Sequence, residues 1–347
     1  STVYSIRRPK NGGIPRPFLH STGPRSMKEF QLIRQIQQQT SAALVNAADA
    51  GVSLGIGDDA AVLDVPAGYQ LVAATDTLNA GTHFPTDTPA FDIGYKCLAV
   101  NLSDLAAMGA VPRWALLSLS LPQAGSDWVQ SFTDGFSSLA QRHGVSLVGG
   151  DTTSGPLSVS LTALGIVEPG QALQRNAAKA GDLLVVSGTV GGAAYALDQL
   201  QAGNAAQERH LLDRPQPRVR LGRALAGFAN ACIDISDGLL ADLGHVLRAS
   251  ACGARLELDK LPASDAMAQL DDEDRWNYQL AGGDDSELLF TLPQQHESML
   301  AKWRQQLDIR LSVIGEIEAQ EGCRCTGPGG VDYDPEKSGY EHFQQTP

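Results

Sequence analysis

No apolar run in this chain approaches the ~20 residues that a membrane-spanning helix needs. Positive charge is scarce: 26 Lys and Arg stand against 39 Asp and Glu, a net charge of −13. So acidic a balance, with a pI near 4.9, argues against nucleic acid as a partner. Cysteines are few and odd in number: Cys97, Cys232, Cys252, Cys323 and Cys325. That usage argues against a disulfide framework and suits a reducing, cytoplasmic compartment. Cys323-Arg324-Cys325 leaves a single residue between the thiols, poor spacing for a zinc knuckle. The phosphate-loop signature Gly-x-x-x-x-Gly-Lys-Ser/Thr is missing, and so are the protein-kinase signatures.

What is present reads as an ordinary globular protein, with 43% hydrophobic and 19% charged residues. A length of 347 residues accommodates two domains with substantial cores. Residues 1–26 stand apart: they hold Arg7, Arg8, Lys10, Arg16 and Arg25, several prolines and no acid. They read as a disordered or artificial extension, with Met27 as the native start and no apolar segment of a secretory signal. Residues 27–168 are expected to form an N-terminal α/β domain and residues 169–347 a second one. Pro169-Gly170 and Lys179-Ala180-Gly181-Asp182 bracket the junction.

Phe30, Ile33 and Ile36 recur at helical spacing over 29–39, and 91–108 predicts a long helix ended by Gly109. Leu117, Leu119 and Leu121 alternate with Ser118 and Ser120, and Leu157, Val159, Leu161 and Ala163 with Ser158, Ser160 and Thr162. Such alternation predicts a mixed or antiparallel sheet with one face on helices and a hydroxyl-rich face toward solvent or a partner subunit. Strands are expected again at 183–186, 231–235, 254–258, 287–292 and 311–317, with helices between. Lys96, about one turn after Asp92, reads as half of a helix-surface ion pair.

Acidic residues punctuate this pattern. Gly55-Ile56-Gly57-Asp58-Asp59-Ala60 places two carboxylates after a glycine turn, and alternation lets only one face a given ligand. Thr75-Asp76-Thr77, Ser103-Asp104, Gly149-Gly150-Asp151-Thr152 and Asp234-Ile235-Ser236-Asp237-Gly238 read as further acids at element ends. Five segments thus offer hard oxygen ligands without a basic partner alongside. Such a set suits Mg2+, which prefers oxygen and bridges to phosphate oxygens, and so suits phosphoryl transfer. Gly188-Thr189-Val190-Gly191-Gly192 is either a phosphate cradle at a helix start or a tight strand–helix turn.

Taken in order, Gly55–Ala60, Thr75–Leu78, Ala99–Gly109, Gly149–Thr152, Ile233–Leu239 and Gly339-Tyr340-Glu341-His342-Phe343 closely resemble the thiamine-monophosphate kinase family. The resemblance covers roughly residues 27 to 343. It implies the two-domain α/β fold shared with aminoimidazole ribonucleotide synthetase, with the active site between the domains. It also implies dimers formed through the N-terminal sheets, and the transfer of phosphate from ATP to thiamine monophosphate to give thiamine diphosphate. Residue by residue, it implies Asp59, Thr75, Asp76, Asp104, Asp151, Asp234 and Asp237 as ligands of several Mg2+ ions. Gly150, Asp151, Arg175 and Ser236 match nucleotide contacts, and His83, Asp284 and Lys337 lie at positions near the substrate. No general base is expected. Ala74 stands where relatives often have Ser, Asp284 where Glu is usual, Ser286 where Tyr is common and Lys337 where Trp can occur. The ring-closing synthetase typically carries Glu at the position of Asp151, and selenophosphate synthetase an early reactive Cys, whereas no Cys precedes Cys97 here. A nucleotide-binding regulator without transfer is the alternative from another class.

Overall fold

The computed structural model describes residues 29–41, 51–123 and 125–335. The basic stretch at 1–26, Lys337 and the segment 339–343 lie outside the described residues. The N-terminal half runs α1 (Glu29–Ser41), β1 (Val52–Leu54), β2 (Val62–Leu63), β3 (Gln70–Asn79), α2 (Ala90–Ala107), β4 (Val111–Leu121), α3 (Ser126–His143), β5 (Ser146–Ser154) and β6 (Ser158–Val167). Strands β1 and β2 form a small antiparallel ladder, and the others a four-stranded sheet ordered β3-β6-β4-β5. Only β4 and β5 pair in parallel, so the sheet is mixed, as the alternation predicts. Leu117, Leu119, Val159 and Leu161 face α2 and α3, while Ser118, Ser160 and Thr162 lie on the open face.

Helix α2 is buried almost all round. Gly94 lets α3 cross it closely: a Cβ there would stand 2.0 Å from the Phe132 carbonyl oxygen. Gly109, at φ +69°, takes the left-handed conformation just past its C-terminus.

The C-terminal half runs β7 (Leu183–Ser187), α4 (Gly192–Gln201), α5 (Arg209–Asp213), α6 (Val219–Leu225), β8 (Ala231–Ile235), α7 (Leu239–Ser250), β9 (Gly253–Glu257), α8 (Asp272–Ala281), β10 (Glu287–Leu292), α9 (Ser298–Leu307), β11 (Leu311–Glu318), β12 (Gly322–Thr326) and β13 (Asp332–Tyr333). Its sheet has seven strands, ordered β13-β12-β9-β11-β7-β10-β8. The central strands are apolar on both faces because each face has a core. Val185, Cys232, Leu288 and Phe290 share a core with α2, whereas Leu184, Val186, Ile233 and Leu289 pack against Leu239, Leu243 and Leu280 of α7 and α8. One hydrophobic cluster therefore runs from the N-terminal sheet through α2 to the C-terminal sheet. No helix among the described residues is long and apolar enough to cross a membrane.

The acids do not stand at element ends as expected. Asp76 and Asp151 lie inside strands and Asp104 inside a helix. The reason is ladder length: β3 pairs with β6 over ten residues, Gln70 to Asn79, and β5 pairs with β4 out to Ser154.

Candidate active site

Asp76 alternates with Thr75 and Thr77 along β3, so its carboxylate points toward α2. Thr75 is the other half of that alternation. Its hydroxyl lies 3.0 Å from that of Thr162 and donates to the Leu161 carbonyl at 3.1 Å, away from Asp76. Asp104, on α2, faces Asp76 closely enough to share a proton with it. Asp234, near the end of β8, completes the group from the other half.

Burial raises the proton affinity of all three carboxylates. Burial pushes Asp104 up to about 8, and the charges of Asp234 and Asp76 add to the shift. Asp234 rises to about 6, again through burial first; Ser103, close by but outside strict hydrogen-bond geometry, lowers it, as does Arg175. Asp76 is raised by burial, offset in part by its bond with Asp104 and the charge of His83. Buried like charges with so little compensation are the electrostatic condition for binding a hard cation.

The turn Ser236-Asp237-Gly238 links β8 to α7. Asp242, in the first turn of α7, accepts from the backbone N–H groups of Ser236, Asp237 and Gly238 at 2.9, 3.1 and 3.2 Å. A second turn, Gly282–Ser286, lies against it: the Asp284 N–H donates to the Ser236 carbonyl at 2.9 Å. Gly283 permits the contact, since a Cβ there would stand 2.3 Å from that oxygen.

Thr75, Asp76, His83, Asp104, Asp234, Ser236, Asp237 and Asp284 thus line one cleft of about 710 Å3. A neighbouring lobe of about 320 Å3 shares Thr82, His83, Leu197, Leu212 and Asp284 with it and adds Phe84, Pro85 and Leu200. The first lobe gathers the carboxylates and the second adds an aromatic ring and aliphatic side chains beside them, an arrangement suited to a phosphorylated molecule with an organic ring. Among the described residues no three His, Cys, Asp or Glu side chains are already gathered tightly enough to hold a metal ion alone. Mg2+ asks less of the protein, because it keeps waters and takes phosphate oxygens.

Other expected residues stand elsewhere. Asp58 and Asp59 are both exposed in the β1–β2 connection, and Asp58 accepts from the Asp59 N–H at 2.8 Å. Asp151 is exposed on β5, in the lateral row of Ser118, Ser160 and Thr77, and Gly150 is one residue away. None of Asp59, Gly150 and Asp151 lines the acidic cleft. Arg175 is exposed and outside the lining too, yet its charge reaches Asp104 and Asp234.

One open reading is decided and one changes. Gly188–Gly192 is a strand–helix turn rather than a free phosphate cradle, because Asp285 occupies the Gly191 N–H at 2.6 Å and the Ala193 N–H at 3.4 Å. Lys96 is not a surface residue: it is 1% exposed and bridges His83 and Asp284. Asp92 pairs with Arg214 instead. The signal for Lys96 was a lone charge in the run Gly94-Tyr95-Lys96-Cys97-Leu98-Ala99-Val100. For Asp242 it was an acid in the first turn of a helix that follows an acidic loop.

Residues 57–167 match the AIR synthase related protein N-terminal domain, and residues 179–327 the corresponding C-terminal domain. The thiamine-monophosphate kinase of Salmonella typhimurium is 43% identical over 325 residues, covering 91% of this chain and 98% of that protein. The chain belongs to the thiamine-monophosphate kinase family. The crystal structure of the thiamine-monophosphate kinase from Stenotrophomonas maltophilia superposes with a TM-score of 0.80 at 46% identity, covering 90% of this chain and 99% of that one. AaThiL complexed with AMPPCP and TMP matches at 30% identity with a TM-score of 0.69, covering 91% of this chain and 97% of that one. In this member of the thiamine-monophosphate kinase family the departures at Ala74, Asp284 and Ser286 all lie on the cleft side. Ala74 shares a strand face with Asp76, and Asp284 and Ser286 line the cleft.

Proposed function

We propose that this chain transfers the γ-phosphoryl group of ATP to the phosphate of thiamine monophosphate, giving thiamine diphosphate and ADP. The observation that carries the reading is the meeting of Asp76, Asp104, Asp234 and Asp237 in one cleft beside the lobe of His83 and Asp284. AaThiL, complexed with AMPPCP and TMP, is a relative over nearly the whole chain and supports both substrates.

Thr75, through its carbonyl, and Asp76, Asp104, Asp234 and Asp237 are the residues that would hold Mg2+. Bound there, it would screen the repulsion between two polyanions and orient them. Asp59, Gly150 and Asp151 belong to the nucleotide side in this reading. Asp76, Leu117 and Gly150 occupy one lateral row across β3, β4 and β5. Three strand spacings separate the ends of that row, roughly 14 Å, a distance a nucleoside triphosphate spans. Ser236 and Arg175 approach the nucleotide from the C-terminal half in this reading; Lys337, the remaining expected substrate contact, lies outside the described residues. His83 orients the acceptor, its own ring held by the Asn79 N–H, which donates to Nδ1 at 3.1 Å. A phosphate monoester has a second pKa near ~6, so at neutral pH the acceptor is already a nucleophilic dianion and no general base is required.

Residues 27–168 then form the metal- and nucleotide-binding domain and 169–347 the domain that closes over it. The open face of the N-terminal sheet is the proposed homodimer surface, and the five free thiols fit a cytoplasmic setting. Incubating the purified protein with ATP, Mg2+ and thiamine monophosphate should form ADP and thiamine diphosphate in equal amounts. ADP without thiamine diphosphate would overturn the reading.

A further inference from the structure

The chemistry above leaves Lys96 unused, although it is among the largest fully buried side chains of the molecule. A buried ammonium is costly unless its charge is paired and its protons are accepted. Lys96 Nζ donates to the His83 carbonyl at 3.2 Å and to Asp284 Oδ2 at 3.1 Å. Those acceptors come from opposite walls of the substrate lobe. His83 belongs to the loop after β3, and Asp284 to the turn between α8 and β10.

The second wall is strained. Asp284 has φ +69° and Ser286 φ +51°, the left-handed region that residues with a Cβ avoid. Backbone bonds from the Asp284 and Ser286 N–H groups to the carbonyls of Ser236 and Ile235 hold the main chain of this turn. They do not orient its carboxylate, which is 40% exposed and has Lys96 as its ion-pair partner. The bonds of the Lys96 ammonium go to His83 and Asp284, and Asp76, Asp104 and Asp234 are not among its acceptors.

We infer that Lys96 is a positioning residue for the phosphate acceptor: a cationic pin through which α2 sets the His83 loop and the Asp284 carboxylate at a fixed separation. The inference rests on the substrates proposed above. Without the ammonium, Asp284 turns into solvent and the two walls lose their common anchor, while the nucleotide side is untouched.

The test is a steady-state comparison of Lys96→Met with the wild type, varying each substrate in turn. The KM for thiamine monophosphate should rise about tenfold or more, with the KM for ATP within about twofold and kcat within about threefold. Asp284→Asn should shift the same constant, and the double variant should be little worse than the worse single one, since both remove one interaction. An unchanged KM for thiamine monophosphate, or an equal rise in both Michaelis constants, overturns the assignment. If Lys96→Met melts below the assay temperature, Lys96→Gln, which keeps a donor without the charge, enters the same comparison. Absent wild-type turnover overturns the function and the pin together; wild-type turnover with an unselective variant overturns the pin alone.

Discussion

Asp76 and Asp104 face each other, and burial raises the proton affinity of both. Replacing either with a neutral amide removes a charge that a bound cation needs but leaves the packing almost unchanged. Asp76→Asn should therefore lower kcat on the order of 100-fold or more, with a melting temperature near that of the wild type. Asp151→Asn should lose comparable activity, although Asp151 lies on another strand; a steady-state assay over a Mg2+ series checks both. Asp285 is a different kind of acid. Burial raises its proton affinity well above the usual carboxylate range, while the Gly191 and Ala193 N–H groups partly offset this. Because the folded-state pKa lies above the unfolded one, the stability it lends is complete below the unfolded pKa and is lost as pH rises through the folded pKa. Asp285→Asn cannot ionise, so its stability deficit against the wild type should shrink between pH 5 and pH 8. Parallel melting curves at the two pH values would show it, and a deficit that grows with pH would refute the argument.

At the scale of elements, helix α2 does the most. One stripe of it, Lys96, Val100, Ser103 and Asp104, faces the other half of the molecule, while the opposite side packs on the N-terminal sheet. That stripe brings a cation to Asp284 and a carboxylate to Asp234. The sheet beneath has a second face rich in hydroxyls, with Leu71 and Leu116 exposed at 49% and 36%. Hydroxyls paired across strands, such as Thr77 with Ser160 at 2.7 Å, make that face even and partly dry, suited to meeting its own copy. Light scattering should give the mass of two chains at micromolar concentration, and Leu116→Arg should shift it toward one. A wild-type mass of one chain would remove the dimer from the proposal.

For the whole molecule, the question is the path of the phosphoryl group between two substrates held by two halves. In the proposed arrangement Asp76, Asp104, Asp234 and Asp237 hold metal and the acceptor is itself a nucleophile, so the group should pass directly. Direct in-line transfer inverts a chiral γ-phosphorus once, whereas a phosphoenzyme inverts it twice and restores it. A stereochemically labelled γ-thiophosphate should therefore emerge inverted, and retention would establish a covalent intermediate.

The sequence by itself determined the class of chemistry and most of the elements. Alternation of Leu with Ser and Thr set β4 and β6 with the correct face inward, because a strand's period of two leaves no choice once one face is apolar. Acids with hydroxyls and few neighbouring cations pointed toward a hard cation with phosphate, since oxygen donors of that kind suit such a ligand best. Lys96, Asp242 and Asp285 were not legible in the same way. Each acts through a partner far along the chain or through backbone N–H groups, and residue type and spacing carry no record of such a partner. Only the tertiary structure decided that α2 runs between the two sheets, which turned a lysine that reads as a surface residue into a buried bridge 188 positions from its carboxylate. It also placed Asp76 and Asp151 three strands apart in one sheet, because pairing order is set by which apolar faces can be covered together, not by the order of motifs along the chain.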